Sequence, residues 1–135
     1  MDFYKKQTGF TLIELLVVII IIGILVGLVG IYGIDARKKA FDAQKKADMH
    51  ELQGAIEMHF ADMGSYPVAA GWQNTLVSGD YLNAVLAARG QAGDYTYTPS
   101  GSPALSYDLT VQLENLKDTG PNINNNGVFT LTQKQ

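Results

Sequence analysis

From Leu15 to Ile34 the chain runs 20 residues without a charge, and the residue just before that run is Glu14. No other feature limits the fold as strongly. At 1.5 Å per residue the run makes about 30 Å of helix, roughly the hydrocarbon thickness of a bilayer. A carboxylate inside such a segment costs about 2.5–3.5 kcal/mol at mid-membrane and less near the interface. Glu14 therefore calls for a partner. One answer is the positive end of its own helix, at about 0.3–1 kcal/mol. The other is a group on another molecule. Physics alone leaves the two even.

Bulk properties narrow the class. The chain has 135 residues, enough for one small domain once a membrane helix is set aside. Its formal net charge is −3; without residues 1–9 it carries 8 basic and 12 acidic residues, a net −4. No basic surface points to nucleic acid as the principal partner. The densest basic cluster, Arg37-Lys38-Lys39, follows the apolar run and reads as a solvated or headgroup-facing collar. With no cysteine, disulfides, thiol catalysis and cysteine-ligated zinc are excluded. The apolar segment is too long for a secretory h-region, and no small-residue cleavage site follows it. Lys5-Lys6 on one flank and Arg37-Lys38-Lys39 on the other leave the positive-inside rule undecided.

Three segments follow in chain order: a polar leader at 1–9, an apolar helix at 10–34, and an amphipathic helix plus small α+β domain at 35–135. Gly23, Gly27, Gly30 and Gly33 fall near one face of the apolar helix, a small-residue surface for close helix packing. Local softening is a further effect, since each glycine costs about 1 kcal/mol relative to alanine. Met49, Leu52, Ile56, Phe60 and Met63 form a helical apolar stripe, continued upstream by Ala36, Ala40, Ala43 and Ala47. Asp42 has Lys38 and Lys46 four residues away on either side, as exposed helix-stabilising pairs. Gly64 and Pro67 stop the helix. From Phe10 to Met63 one helix of about 80 Å is expected.

Ser78-Gly79-Asp80 is expected to cap a short helix over 81–88, with Leu82, Val85 and Leu86 on one apolar side. The period then changes to 2. Tyr95 and Tyr97 begin a first strand, Pro99–Pro103 a turn-rich connection, and Tyr107, Leu109, Val111 and Leu113 a second strand. A polar loop from Asp118 to Gly127 leads to a third strand over 128–132. Three antiparallel strands with one face on the amphipathic helix make an α+β unit.

Gly9-Phe10-Thr11-Leu12-Ile13-Glu14-Leu15-Leu16-Val17-Val18-Ile19 closely resembles the prepilin signature of type IV pilins and type II secretion pseudopilins. The resemblance is strong over Lys5 to Leu28 and weakens beyond Pro67. It implies cleavage between Gly9 and Phe10 by a prepilin peptidase, with Phe10 as the N-methylated new terminus. It implies that Glu14 meets a neighbouring subunit's N-terminal amine during filament assembly. The implied partners are a homo-oligomeric filament, minor pilins or pseudopilins, an inner-membrane assembly platform and the lipid bilayer. The implied orientation is a single pass through the inner membrane, with the C-terminal domain outside the cytoplasm. This chain has no proline before Pro67, so the proline break common in pilin helices is missing. It also cannot form the C-terminal disulfide loop of many type IVa pilins, which tilts the reading toward pseudopilins.

No catalytic constellation is legible. His50 and His59 lie about 180° apart on a helix and cannot share one metal. There is no nucleophile elbow and no phosphate loop. No cofactor is expected; calcium at Asp118, Asn122, Asn124 and Asn126 is suggested only by the pseudopilin resemblance. Trp72, Tyr66, Tyr95, Tyr97 and Tyr107 are read as core rather than a binding surface. The expected protein is a structural subunit of a type IV pilus-like filament, of secretion-pseudopilin type. A pilus subunit for adhesion, motility or DNA uptake and a signal-anchored binding module that never polymerises are the alternatives.

Overall fold

The structure, a computed structural model, describes residues 9–90 and 92–134, with backbone only at 30–32 and 134. The leader residues 1–8, including Lys5 and Lys6, lie outside the described residues. Helix α1 covers Leu12–Met63 and helix α2 Trp72–Ser78; strands β1, β2 and β3 cover Thr96–Gly101, Ala104–Gln112 and Val128–Lys134. The strands form one antiparallel sheet in the order β1-β2-β3. The class is α+β, with a long N-terminal helix and a three-stranded sheet. The chain divides into two compact units, one up to Ala36 and one from Arg37 to Gln135.

In the first unit, α1 is apolar on all sides. Leu15, Ile19, Ile22 and Val26 are all exposed. A Cβ at Gly23, Gly27 or Gly33 would meet open space. Among the described residues, α1 is the helix long and apolar enough to cross a membrane.

In the second unit, α1 becomes one-sided. Met49, Leu52 and Ile56 are fully buried in one cluster with Tyr107, Leu109, Val111 and Leu113. Burying one such aliphatic side chain contributes about 1.5–3 kcal/mol. Across the sheet Leu109 pairs with Tyr97 on β1 and Leu131 on β3, so one apolar row runs through all three strands. That row follows from period-2 alternation, which puts every second residue of β2 on the helix side.

Several expectations are corrected. The apolar stripe ends early: Phe60 is half-buried, and Met63 is 64% exposed. Ala36, Ala40, Ala43 and Ala47 are exposed rather than packed. The buried residues at that level of α1 are Asp42, Lys45 and Asp48. The expected helix over 81–88 is absent, and α2 lies one segment earlier. Asp80 takes a left-handed φ of 59°, and the N–H groups of Tyr81 and Leu82 both donate to Leu76 O. Leu86 N then donates to Gln73 Oε1, and Gln73 Nε2 donates to Leu86 O. Side-chain bonds thus satisfy backbone that would otherwise need a helix. Leu82 is buried, but Val85 is 54% exposed. Strand β1 passes through Pro99, and β3 extends to Lys134.

The buried charges of α1 fasten the sheet. Lys45 Nζ donates to Gln112 O at 2.8 Å and to Glu114 Oε1 at 3.0 Å. Asp42 accepts the backbone N–H groups of Glu114 at 2.7 Å and Asn115 at 2.9 Å. It therefore does not form the exposed pairs with Lys38 and Lys46 that its spacing suggests. Asp48 Oδ2 accepts from Tyr95 Oη at 2.6 Å. Ala92 N also donates to Glu114 Oε1, at 2.8 Å. Gly90 sits beside this knot with φ +99°, and a Cβ there would collide with the Glu114 carboxylate. Only glycine meets both conditions.

Candidate functional site

Gly9 and Phe10 precede α1 in non-helical backbone, and Phe10 is 92% exposed. Thr11 is the N-cap. Its backbone N–H donates to Glu14 Oε2 at 2.8 Å, and its hydroxyl donates to the same oxygen at 2.7 Å. Glu14 N lies 3.3 Å from Thr11 Oγ1, and Leu15 N closes the first helical turn on Thr11 O. This is a capping box: a threonine at the cap and a glutamate three residues on satisfy each other's backbone donors. Thr11 escapes a reading for charge alone. The signal that reveals it is the Thr-x-x-Glu spacing.

The box fixes where the Glu14 carboxylate sits. It folds back over the start of the helix, one residue from Phe10. Phe10, Ile13, Val17 and Val18 line an open apolar groove of about 370 Å³ beside it. The site pairs one anionic group with an accessible peptide bond and an exposed apolar surface. Among the described residues its polar side chains are the Glu14 carboxylate and the Thr11 hydroxyl.

The other sequence candidates are structural in this fold. His50 is exposed, with its ring edge-on to Phe129. His59 is buried, with Nδ1 3.1 Å from Ser65 O and its ring edge-on to Tyr81. Trp72, Tyr66, Tyr95, Tyr97 and Tyr107 are all core residues. Burial raises the Tyr107 phenol well above the usual tyrosine range, and its hydrogen bond to Glu57 raises it further. Tyr97 and Tyr95 are raised first by burial as well.

Several oxygens of the loop after β2 accept hydrogen bonds. Asp118 Oδ2 accepts from Lys46 Nζ at 2.6 Å, and Asp118 Oδ1 from Gly120 N at 3.1 Å. The Lys46 bond holds the Asp118 carboxyl below the usual range. Asn124 Oδ1 accepts the N–H groups of Asn126 and Val128, and Asn122 O accepts from Thr130 N. Asn126 O accepts from Gln112 Nε2. Among the described residues no group of three or more His, Cys, Asp or Glu is placed to hold a metal ion.

Against known families, residues 4–30 match the prokaryotic N-terminal methylation motif. No curated protein and no solved structure matches the chain. The motif implies processing by a prepilin peptidase and pilin-type assembly. Together with the apolar helix it is consistent with membrane anchoring. The chain thus carries a type IV pilin-like N-terminal methylation motif over residues 4–30, which supports a subunit of pilin or pseudopilin type.

Proposed function

We propose that the chain is a subunit of a type IV pilus-like filament, of the pseudopilin type that serves type II secretion. Residues 10–34 hold it in the inner membrane before assembly, with the second unit outside the cytoplasm. Cleavage between Gly9 and Phe10 frees the Phe10 amine for N-methylation. One observation carries this reading: the Glu14 carboxylate lies at the start of a fully exposed apolar helix, one residue from an accessible Gly9–Phe10 bond.

The physical logic is an exchange of environments. Lipid solvates the apolar helix before extraction, and neighbouring helices do so afterwards. Gly23, Gly27, Gly30 and Gly33 allow those helices to approach closely. Glu14 turns from its own cap toward the Phe10 amine of an adjacent subunit. Two unit charges about 4 Å apart attract by about 4 kcal/mol at an effective dielectric of 20, before desolvation. That bias favours docking and register, while apolar packing holds the filament. The lack of cysteine favours the secretion type over pilins closed by a disulfide loop.

The test is Glu14→Gln in cells that carry the assembly machinery. Membrane insertion and cleavage should persist, and the sheared-filament fraction should fall sharply against the membrane-bound monomer. Equal filament yield at equal expression would remove the assembly role of Glu14 and leave only the cap.

A further inference from the structure

The second unit opens on a cluster of cations. Arg37, Lys38 and Lys39 occupy its first turn of helix and are exposed. The buried knot brings two distant loops to the same end. Asn115 is held on Asp42, which places Leu116 and Lys117 beside the first turns of this unit. Ala92 is held on Glu114 at the same end. Lys117 and Arg89 are exposed, and Leu116 is 61% exposed. Gly127, at φ +73°, packs so closely under the Leu116 backbone that a Cβ would meet it at 3.0 Å. Leu116 also borders an open cleft of about 390 Å³ shared with Ala92, Glu114 and Asn126.

Three acids of this end are buried or paired with a cation. Glu114 pairs with Lys45, Asp118 pairs with Lys46, and Asp42 is capped by two backbone N–H groups. Asp94 accepts the N–H groups of Ala88 and Tyr95. Asp94 and Asp35 are exposed acids nearby. Arg37, Lys38, Lys39 and Lys117 are thus exposed cations at the end of the unit that also exposes Leu116. Further along α1 and in the loops beyond lie Glu51, Glu57, Asp62 and Asp80.

We propose that this basic end is a docking surface for the anionic headgroups of a phospholipid bilayer. The occupant follows from chain order and charge. The cluster starts three residues after the uncharged span Leu15–Ile34 ends, where headgroup phosphates lie if that span crosses the bilayer. Cations with an exposed apolar side chain among them match that interface. The acidic remainder is repelled by the same surface, so an anionic leaflet orients the unit with its basic end down. The surface would hold the subunit in one orientation until extraction. This inference rests on the membrane-subunit reading above.

The absence of cysteine allows a clean test on the full chain. Ala40→Cys and, separately, Ile24→Cys each carry an environment-sensitive fluorophore in nanodiscs of phosphatidylcholine alone or mixed with phosphatidylglycerol. Quenching by neutral acrylamide is the readout. The probe at position 40 should be quenched several-fold less in the anionic discs. That difference should vanish in the combined variant Arg37→Gln, Lys38→Gln and Lys39→Gln, and at about 1 M salt, where screening acts within about 3 Å. Lys117→Gln should remove a smaller part. Equal quenching at position 40 in both discs, with position 24 protected, would overturn the proposal and leave the membrane span standing. Protection that follows protein concentration rather than lipid would overturn it in favour of a second copy as the occupant. Strong quenching at position 24 would overturn the span, and the docking surface with it.

Discussion

One helix, α1, meets two solvents. Its first half exposes every large apolar side chain from Leu12 to Val29. Its second half buries two aspartates and a lysine alongside methionine, leucine and isoleucine. The backbone is the same helix in both. The difference lies in what the surroundings must supply. An all-round apolar helix needs lipid or neighbouring helices, because no face of it is satisfied within its own unit. Around Asp42 and Lys45 the reverse holds: the unit itself satisfies every charge by hydrogen bonds, and no buried side-chain polar atom among the described residues lacks a partner. The first half is incomplete as a monomer, and the second is complete.

The completeness of the second half predicts its most fragile point. A fragment starting at Arg37 should fold alone. In it, Lys45→Ala should cost about 3–5 kcal/mol, because it removes the buried cation that pairs with Glu114 and bonds the Gln112 carbonyl. Urea melts measure this. Lys45→Met combined with Glu114→Gln should recover much of the loss, since a buried ion pair is often no better than apolar packing.

Next comes the apolar core. Leu52→Ala should cost about 2–5 kcal/mol. Met63→Ala, on the same expected stripe but exposed, should stay within about 0.5 kcal/mol. A large effect at Met63 would mean that the stripe extends further than its burial indicates.

Two features explain why the stripe was half legible. Apolar periodicity marks a helix face without marking where the partner sheet stops. Lys45 and Asp42 were illegible as core, because their partners at Gln112, Glu114 and Asn115 lie 67–73 residues away. Local spacing offered Asp42 the nearer Lys38 and Lys46, and nothing in a single sequence ranks a distant backbone N–H above them. The strand alternation from Tyr107 to Leu113 was legible because its period is local. So was the motif around Glu14, which lies within one continuous segment. The α2 position is not legible locally, because Gln73 hydrogen-bonds backbone 13 residues on.

Alkaline pH gives a further contrast. Tyr95, Tyr97 and Tyr107 are raised above the ordinary tyrosine value of about 10. Their neutral forms therefore stabilise the fold fully below that pH, and the contribution is lost as pH climbs past it. The second unit should lose melting temperature steeply above about pH 10, with Tyr107→Phe blunting part of the fall. An alkaline titration followed by circular dichroism checks this.

The smallest effect belongs to the Lys46–Asp118 pair. Both side chains are about one-third exposed, so Asp118→Asn should cost less than about 1 kcal/mol. Asp118 is depressed, so its contribution is present above the ordinary aspartate value and lost as pH falls through its folded value. Because Lys46 already supplies the positive charge in this loop, EDTA should leave the melting temperature unchanged. A calcium-dependent rise would contradict that.

The incompleteness of the first half is the central claim, and it begins with processing. Intact-mass measurement on the chain from membranes of cells with an active prepilin peptidase tests it most directly. The expected mature chain starts at Phe10 and is heavier by one methyl group, and Gly9→Val should leave the precursor uncut. A chain that still carries Lys5 and Lys6 in those cells would contradict it.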